Sequence, residues 1–221
     1  MMKIESVYFN NLGYVQSKVS SATLEELKQE AKFILENSNQ FKKHNKELVG
    51  NLEKEYSTHK SEEILKPYLI SLANEFHKQS TELVPPEFIP TNEHYPHWEV
   101  KDIWINYQKK YEHNPLHNHS GNLSFALWVQ IPYNLEDELS HPNCIDSNTP
   151  SNSLFEFVCT DFMGRIVQNR IEVDKSYEGC IIMFPSSLHH MVHPFYTSDD
   201  YRISIAGNLV ASAPKNIIFY Q

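Results

Sequence analysis

The hydrophobic period of the chain changes partway along. Between residues 20 and 80 apolar positions recur at intervals of three and four. Leu24, Leu27, Ala31, Ile34 and Leu35 share one helical face. They follow Thr23-Leu24-Glu25-Glu26, a hydroxyl with a carboxylate three residues on, which has the form of a capping box. Ile64, Leu65, Tyr68, Leu69, Leu72, Ala73 and Phe76 repeat the pattern and predict a second helix over about 61–78. Pro67 suits that helix only in its first turn, where a missing N–H costs nothing. Residues 37–60 are polar and carry Gly50, and they predict a loop. Residues 84–90, Val-Pro-Pro-Glu-Phe-Ile-Pro, predict a linker or an extended edge.

Beyond that point the period falls to two. In 123–131, Leu123, Phe125, Leu127, Val129 and Ile131 face one way, and Ser124, Ala126, Trp128 and Gln130 the other. Further strands are predicted near 100–109, 154–160, 164–173, 179–184 and 201–210, with polar turns between them. Many short strands without alternating helices predict a mainly β domain, a sandwich or jelly roll. The division expected is an N-terminal helical segment over 1–90, packed on one face of a β core over 91–221, in one structural domain. The polar stretch 134–152 is long for a plain connection and predicts a lid or binding element.

Length and charge narrow the class. A chain of 221 residues buries enough surface to need no disulfide staple. The three cysteines, Cys144, Cys159 and Cys180, are widely spaced and form no CxxC pair, which fits a reducing, cytoplasmic setting. No apolar run approaches the ~20 residues of a membrane span, and the opening MMKIESVYFNN lacks the apolar core of a secretory signal. The net charge of −9 argues against a broad phosphate-binding surface, so nucleic acid is the less expected partner. Nothing in the pattern speaks to oligomeric state.

The candidate chemistry is in the histidines. Nine of the twelve lie between positions 94 and 193. One group, Asn-Pro-Leu-His-Asn-His-Ser-Gly at 114–121, directly precedes the best strand. The other, Phe-Pro-Ser-Ser-Leu-His-His-Met-Val-His at 184–193, directly follows the apolar run 180–183. His117 and His119, two apart on an extended segment, point to the same side and can share one ion. A third ligand from a distant strand would complete an open facial set, as non-haem iron and zinc sites use. Within the second group, extension would put His189 and His193 on one side and His190 on the other, and spacing does not choose between them. A third element is Tyr201-Arg202-Ile203-Ser204-Ile205. Arg202 and Ser204 share one strand face, and an inward arginine needs an anion or an internal acid.

Taken in order, the segments W-I-N-Y-Q (104–108), 114–121, S-F-A-L-W-V-Q-I-P-Y (124–133), F-P-S-S-L-H-H (184–190) and R-I-S-I-A-G-N (202–208) resemble the iron(II)/2-oxoglutarate-dependent oxygenases. More narrowly, and with N-K-E-L-V-G-N-L-E-K-E-Y at 45–56, they resemble a branch of marine bacteria and T4-like cyanophages. The resemblance implies a double-stranded β-helix, a jelly roll of cupin-like form, and the cofactors Fe(II), 2-oxoglutarate and O2. It implies hydroxylation of a C–H bond, of a prolyl or other protein side chain or of a small molecule. It implies a cytoplasmic location, the host's if the chain is phage-encoded. It matches His117 and His190 to iron histidines, Arg202 to the arginine that holds the 5-carboxylate of 2-oxoglutarate, and Ser204 to its hydroxyl companion. Position 119 departs from the wider pattern, which has Asp or Glu there. His119 is therefore either the third ligand or a neighbour of a site completed by a carboxylate or water. Trp128 and Asn106 are candidates for the substrate mouth, with core packing the alternative for Trp128. Two other classes stay open: a non-catalytic cupin-like metal- or sugar-binding module, and a zinc-dependent hydrolase built on three histidines.

Overall fold

The computed structural model describes residues 2–7, 13–80 and 97–212. The segment 84–90 and the boundary at 90/91 lie outside the described residues. The elements in chain order are β1 (Ile4–Val7), β2 (Tyr14–Lys18), α1 (Ser21–Glu36), β3 (Lys54–Ser57), α2 (Ser61–Ser80), β4 (His97–Gln108) and β5 (Asn114–His117). β6 (Leu123–Gln130), α3 (Leu135–Leu139), β7 (Phe155–Thr160), β8 (Ile166–Ile171), β9 (Cys180–Pro185), β10 (His189–Val192) and β11 (Arg202–Ser212) follow. They form a mainly β jelly roll. A seven-stranded sheet runs β1-β2-β9-β6-β11-β4-β3, and a four-stranded sheet runs β5-β10-β7-β8.

The period-two alternation decides what each face of the large sheet meets. Phe125, Leu127 and Val129 of β6, Ile105 and Tyr107 of β4, and Ile203 and Ile205 of β11 pack with Leu27, Ile34, Leu65, Leu69 and Leu72 of the helices. The helices thus cover one face, as the sequence predicts. The even-numbered residues face the small sheet, where Trp128, Ile182 and Phe184 pack with Phe155 and Phe157. Ile131 lies past the end of β6 and turns to this second cluster instead of the first.

Three local expectations change. The N-cap of α1 is Ser20, not Thr23: the Ser20 hydroxyl accepts the Thr23 N–H at 3.1 Å. Both residues are hydroxyl-bearing and three apart, so the true cap and the apparent one share a signature. Pro67 sits inside α2, in its second turn. It is exposed, and the helix is held by the burial of Leu65, Leu69 and Leu72 on the opposite face. The start of α2 is capped from outside, because Glu30 Oε1 accepts the N–H groups of His59, Lys60 and Ser61 at 2.7, 2.8 and 3.1 Å. The third change concerns 37–60, which contains β3, paired antiparallel to β4. β3 escapes a hydrophobic pattern because one of its two buried side chains is a carboxylate, Glu55.

Candidate active site

Two short strands bring the histidine groups together. β5 and β10 pair antiparallel, and His117 stands directly opposite His190. β10 is extended, so its side chains alternate: His189 points out to solvent and His190 points in, 3% exposed. His193 lies past the strand end and leans on Glu156, with Nε2 to Oε2 at 3.5 Å. It stands apart from the other histidines. His119 follows β5 and is fixed by its N–H donating to Ser186 O at 2.8 Å. The turn then passes through Gly121 at φ +134, where a Cβ would lie 3.0 Å from Leu209 O, so only glycine fits.

The three rings form a tight triangle. Their centroids lie 4.2 Å (His117–His190), 4.9 Å (His117–His119) and 5.0 Å (His119–His190) apart. Backbone carbonyls fix two tautomers. His117 Nδ1 lies 2.6 Å from Pro115 O and His190 Nδ1 lies 2.9 Å from Leu188 O. A carbonyl only accepts, so both Nδ1 atoms carry hydrogen and both Nε2 atoms present lone pairs. His119 Nε2 is 3.2 Å from His190 Nε2. Two nitrogens bound at about 2.1 Å and subtending 90–110° at one ion would be about 3.0–3.4 Å apart, so the spacing suits shared ligation. One donor atom from each histidine falls within 4.8 Å of the others, and among the described residues no carboxylate joins the group.

Electrostatics favour the neutral rings a metal needs. Burial pushes the His117 imidazole below its ordinary value. Burial, and then the charge on His117, push His119 down to about 4. Burial pushes His190 well down too, helped by His117. Phe155 stacks on His190 at 5.5 Å, Phe184 meets it edge-on at 4.9 Å, and Trp104 lies 5.6 Å from His119. These rings give the site an apolar wall.

The same cavity is lined by Arg202, Ser204, Trp128 and Asn106. Arg202 is 2% exposed. Its Nε and Nη2 donate to Gln108 Oε1 at 3.1 and 2.7 Å, and Nη2 also reaches His193 O at 2.7 Å. Nη1 donates to Tyr133 Oη at 2.7 Å and to Ser153 O at 2.8 Å. Tyr133 and Phe195 flank the guanidinium, with ring centroids 5.8 and 5.4 Å from Cζ. Every partner is neutral, and among the described residues Arg202 has no ion pair with an acid. The Ser204 hydroxyl accepts from Asn106 Nδ2 at 3.2 Å. Trp128 is 3% exposed and touches Phe155 and Tyr177 edge-on, so it is both core and cavity wall.

Some of what lies here went unforeseen. Gln108 and Trp104 share β4's inward face with Asn106, and extending the period-two pattern through W-I-N-Y-Q would have found them. Tyr133 lies past β6 and Glu55 inside the supposed loop, and no pattern points to either. The stretch 134–152 does not line this cavity. It is pinned by Glu138, fully buried, which accepts from the N–H groups of Tyr196 and Thr197.

An antiparallel jelly roll with three clustered histidines and a buried arginine around one inner cavity is a cupin-type fold with a candidate metal site. Residues 102–208 match the family described as "Putative 2OG-Fe(II) oxygenase". That span holds all three histidines and Arg202, and the match is to a 2OG-Fe(II) oxygenase domain, a family whose cofactors are Fe(II), 2-oxoglutarate and O2. Among solved structures it is similar to a prolyl-4-hydroxylase of Pseudomonas putida, at 12% identity and TM-score 0.51, covering 90% of this chain and 93% of that one. It is also similar to SnoN, a non-heme alpha ketoglutarate dependent epimerase from nogalamycin biosynthesis, at 10% identity and TM-score 0.54, covering 93% and 83%. At such identities the likeness is one of fold. No curated protein sequence matches the chain.

Proposed function

We propose that this protein is an Fe(II)- and 2-oxoglutarate-dependent dioxygenase that hydroxylates a C–H bond of a protein side chain, prolyl or other. His117, His119 and His190 would hold the metal. When bound, Fe(II) and 2-oxoglutarate supply oxidation by O2: one oxygen atom goes to the substrate C–H bond, the other to the succinate formed as 2-oxoglutarate loses CO2. Pro115 O and Leu188 O keep His117 and His190 in the tautomer that aims Nε2 at the shared point. Phe155, Phe184 and Trp104 keep water away.

Arg202 carries the reading, as a buried cation whose five N–H groups all go to neutral acceptors. Gln108 Oε1 takes two of those five bonds with one oxygen. A carboxylate in its place takes them with two, and each bond becomes charge-assisted, worth ~1.5–3 kcal/mol against ~0.5–1.5 for a neutral one. The 5-carboxylate of 2-oxoglutarate would displace the Gln108 amide and also meet the Ser204 hydroxyl. Trp128 and Asn106 would then face substrate.

Calorimetric titration of 2-oxoglutarate into the Mn(II)-loaded chain tests this. Arg202→Ala should weaken binding by at least about tenfold, which is ~1.4 kcal/mol. Arg202→Lys should recover only part, since an ammonium lacks the fork. Equal affinity in native and Arg202→Ala proteins would defeat the reading. Three imidazoles without a carboxylate are also a zinc donor set. A zinc hydrolase would bind zinc tightly and show no 2-oxoglutarate heat.

A further inference from the structure

β3 sends one carboxylate into the cavity. Glu55 is 0% exposed and stands beside Asn106, its register partner on β4, and both line the cavity. Among the described residues, neither Glu55 carboxylate oxygen has a hydrogen-bond partner, and neither does Asn106 Oδ1. The backbone of Glu55 is satisfied, since its N–H donates to Asn45 Oδ1 at 3.3 Å and its carbonyl accepts from His44 N–H at 2.8 Å. Only the side chain is left over. Burial first, and then the charge of Glu112, raise its carboxyl to about 7, with Lys43 acting the other way. Gly50 closes over it, and a Cβ there would lie 2.8 Å from Oε1.

Buried acceptors without donors are rare in folded proteins and call for a cause. Here three of them face one cavity. Glu55 is not a fourth metal ligand, because the ligand group holds His117, His119 and His190 alone. Nor does Arg202 answer it. Glu55, Asn106 and Ser204 share one row across β3, β4 and β11, and Arg202 lies two residues along β11. At ~4.8 Å between strands and ~3.3 Å per residue, their Cα atoms are about 12 Å apart. Among the described residues, the cavity therefore has at one end a cation with no acidic partner and at the other an acid with no cationic partner. A neutral amide could fill the acceptors but would leave the carboxylate's charge uncompensated. A cationic nitrogen does both, and its N–H groups can span the two Oε atoms and Asn106 Oδ1.

We propose that Glu55 and Asn106 Oδ1 form the subsite for a cationic nitrogen with at least two N–H donors, a primary ammonium or guanidinium, on the substrate. This deepens the oxygenase reading by naming the substrate class, and rests on that reading for the word substrate. The subsite itself is tested by binding alone, on the full chain at pH 8 without iron or 2-oxoglutarate. Occupancy is read from the fluorescence of Trp104 and Trp128 in the cavity wall. n-Butylamine and n-butylguanidine are compared with n-pentanol, a neutral chain of similar length.

At least one cation should bind about tenfold or more tighter than the alcohol. The tighter of the two distinguishes ammonium from guanidinium. Glu55→Gln should bring the cations down to the alcohol's level. If Glu55→Gln does not fold, Gly50→Ala, whose methyl crowds Oε1, should show the same loss. Equal binding of cation and alcohol to the native chain overturns the proposal, as does an undiminished preference in the folded variant. Failure of the oxygenase reading shows elsewhere, as 2-oxoglutarate affinity unchanged in Arg202→Ala.

Discussion

On β6, Leu127 and Val129 are wholly buried in the core beneath the helices, while Trp128, between them, faces the cavity. β4 and β11 repeat the contrast. Ile105, Tyr107 and Ile205 face the helices, and Asn106, Gln108, Arg202 and Ser204 face inward. The helix side is mostly apolar, and its polar groups are mostly answered from within: the Tyr107 hydroxyl donates to Ala31 O at 2.7 Å, and Glu30 Oε1 caps α2, although Glu30 Oε2 and Ser61 Oγ have no partner among the described residues. The cavity side holds, among the described residues, a cation with no anion, an acid with no cation, and three imidazoles aimed at one point. The same strands thus carry two kinds of residue. One face stabilises the fold, and the other holds groups that folding alone would discard.

The contrast can be broken from either side. The largest effect expected is on the metal. His117→Ala or His190→Ala should abolish stoichiometric Fe(II) binding, measured by anaerobic calorimetry, and unchanged affinity would remove that histidine from the site. His119→Asp, which restores the carboxylate of the wider family, should retain iron, whereas His119→Ala should weaken it sharply. Iron binding unaltered in both would place His119 outside the ligand set.

Next comes the helix face. Leu127→Ala deletes a fully buried side chain and should cost ~2–5 kcal/mol of unfolding free energy in urea melts. The cavity face should respond oppositely. The raised carboxyl of Glu55 means the native state holds its proton to higher pH than the unfolded chain does. Stability therefore falls as pH rises from about 4.5 to about 7. Glu55→Gln should flatten that loss and gain on the order of 3 kcal/mol above pH 7. A pH profile unchanged by the substitution would show that Glu55 is already satisfied. Smallest of all, Ser204→Ala should alter stability by less than about 0.5 kcal/mol while weakening 2-oxoglutarate by about 1 kcal/mol.

The sequence exposes the two faces unevenly. Strict alternation over 123–130 makes β6 and its sidedness plain, and the i, i+2 spacing of His117 and His119 makes a shared target plain. His190 needs more: its inward direction depends on β10 being extended, which the four residues His-His-Met-Val do not announce. Glu55 is hidden for a physical reason. Strand recognition relies on apolar inward residues, and here the inward residue is an acid that a ligand would satisfy. The internal Pro67 misleads because tertiary burial overrides local preference, and the cap at Ser20 because Thr23, three residues on, carries the same hydroxyl signature.

Anaerobic titration of Fe(II) and 2-oxoglutarate together, followed in the visible spectrum, bears most directly on the paired metal and arginine ends of the cavity. The native chain should develop the absorption band of the Fe(II)–2-oxoglutarate chelate, saturating at one equivalent of iron. His190→Ala should not develop it, and Arg202→Ala should need at least about tenfold more 2-oxoglutarate to do so. A native protein that binds iron but shows no band at any 2-oxoglutarate concentration, or an identical band in His190→Ala, would contradict the account.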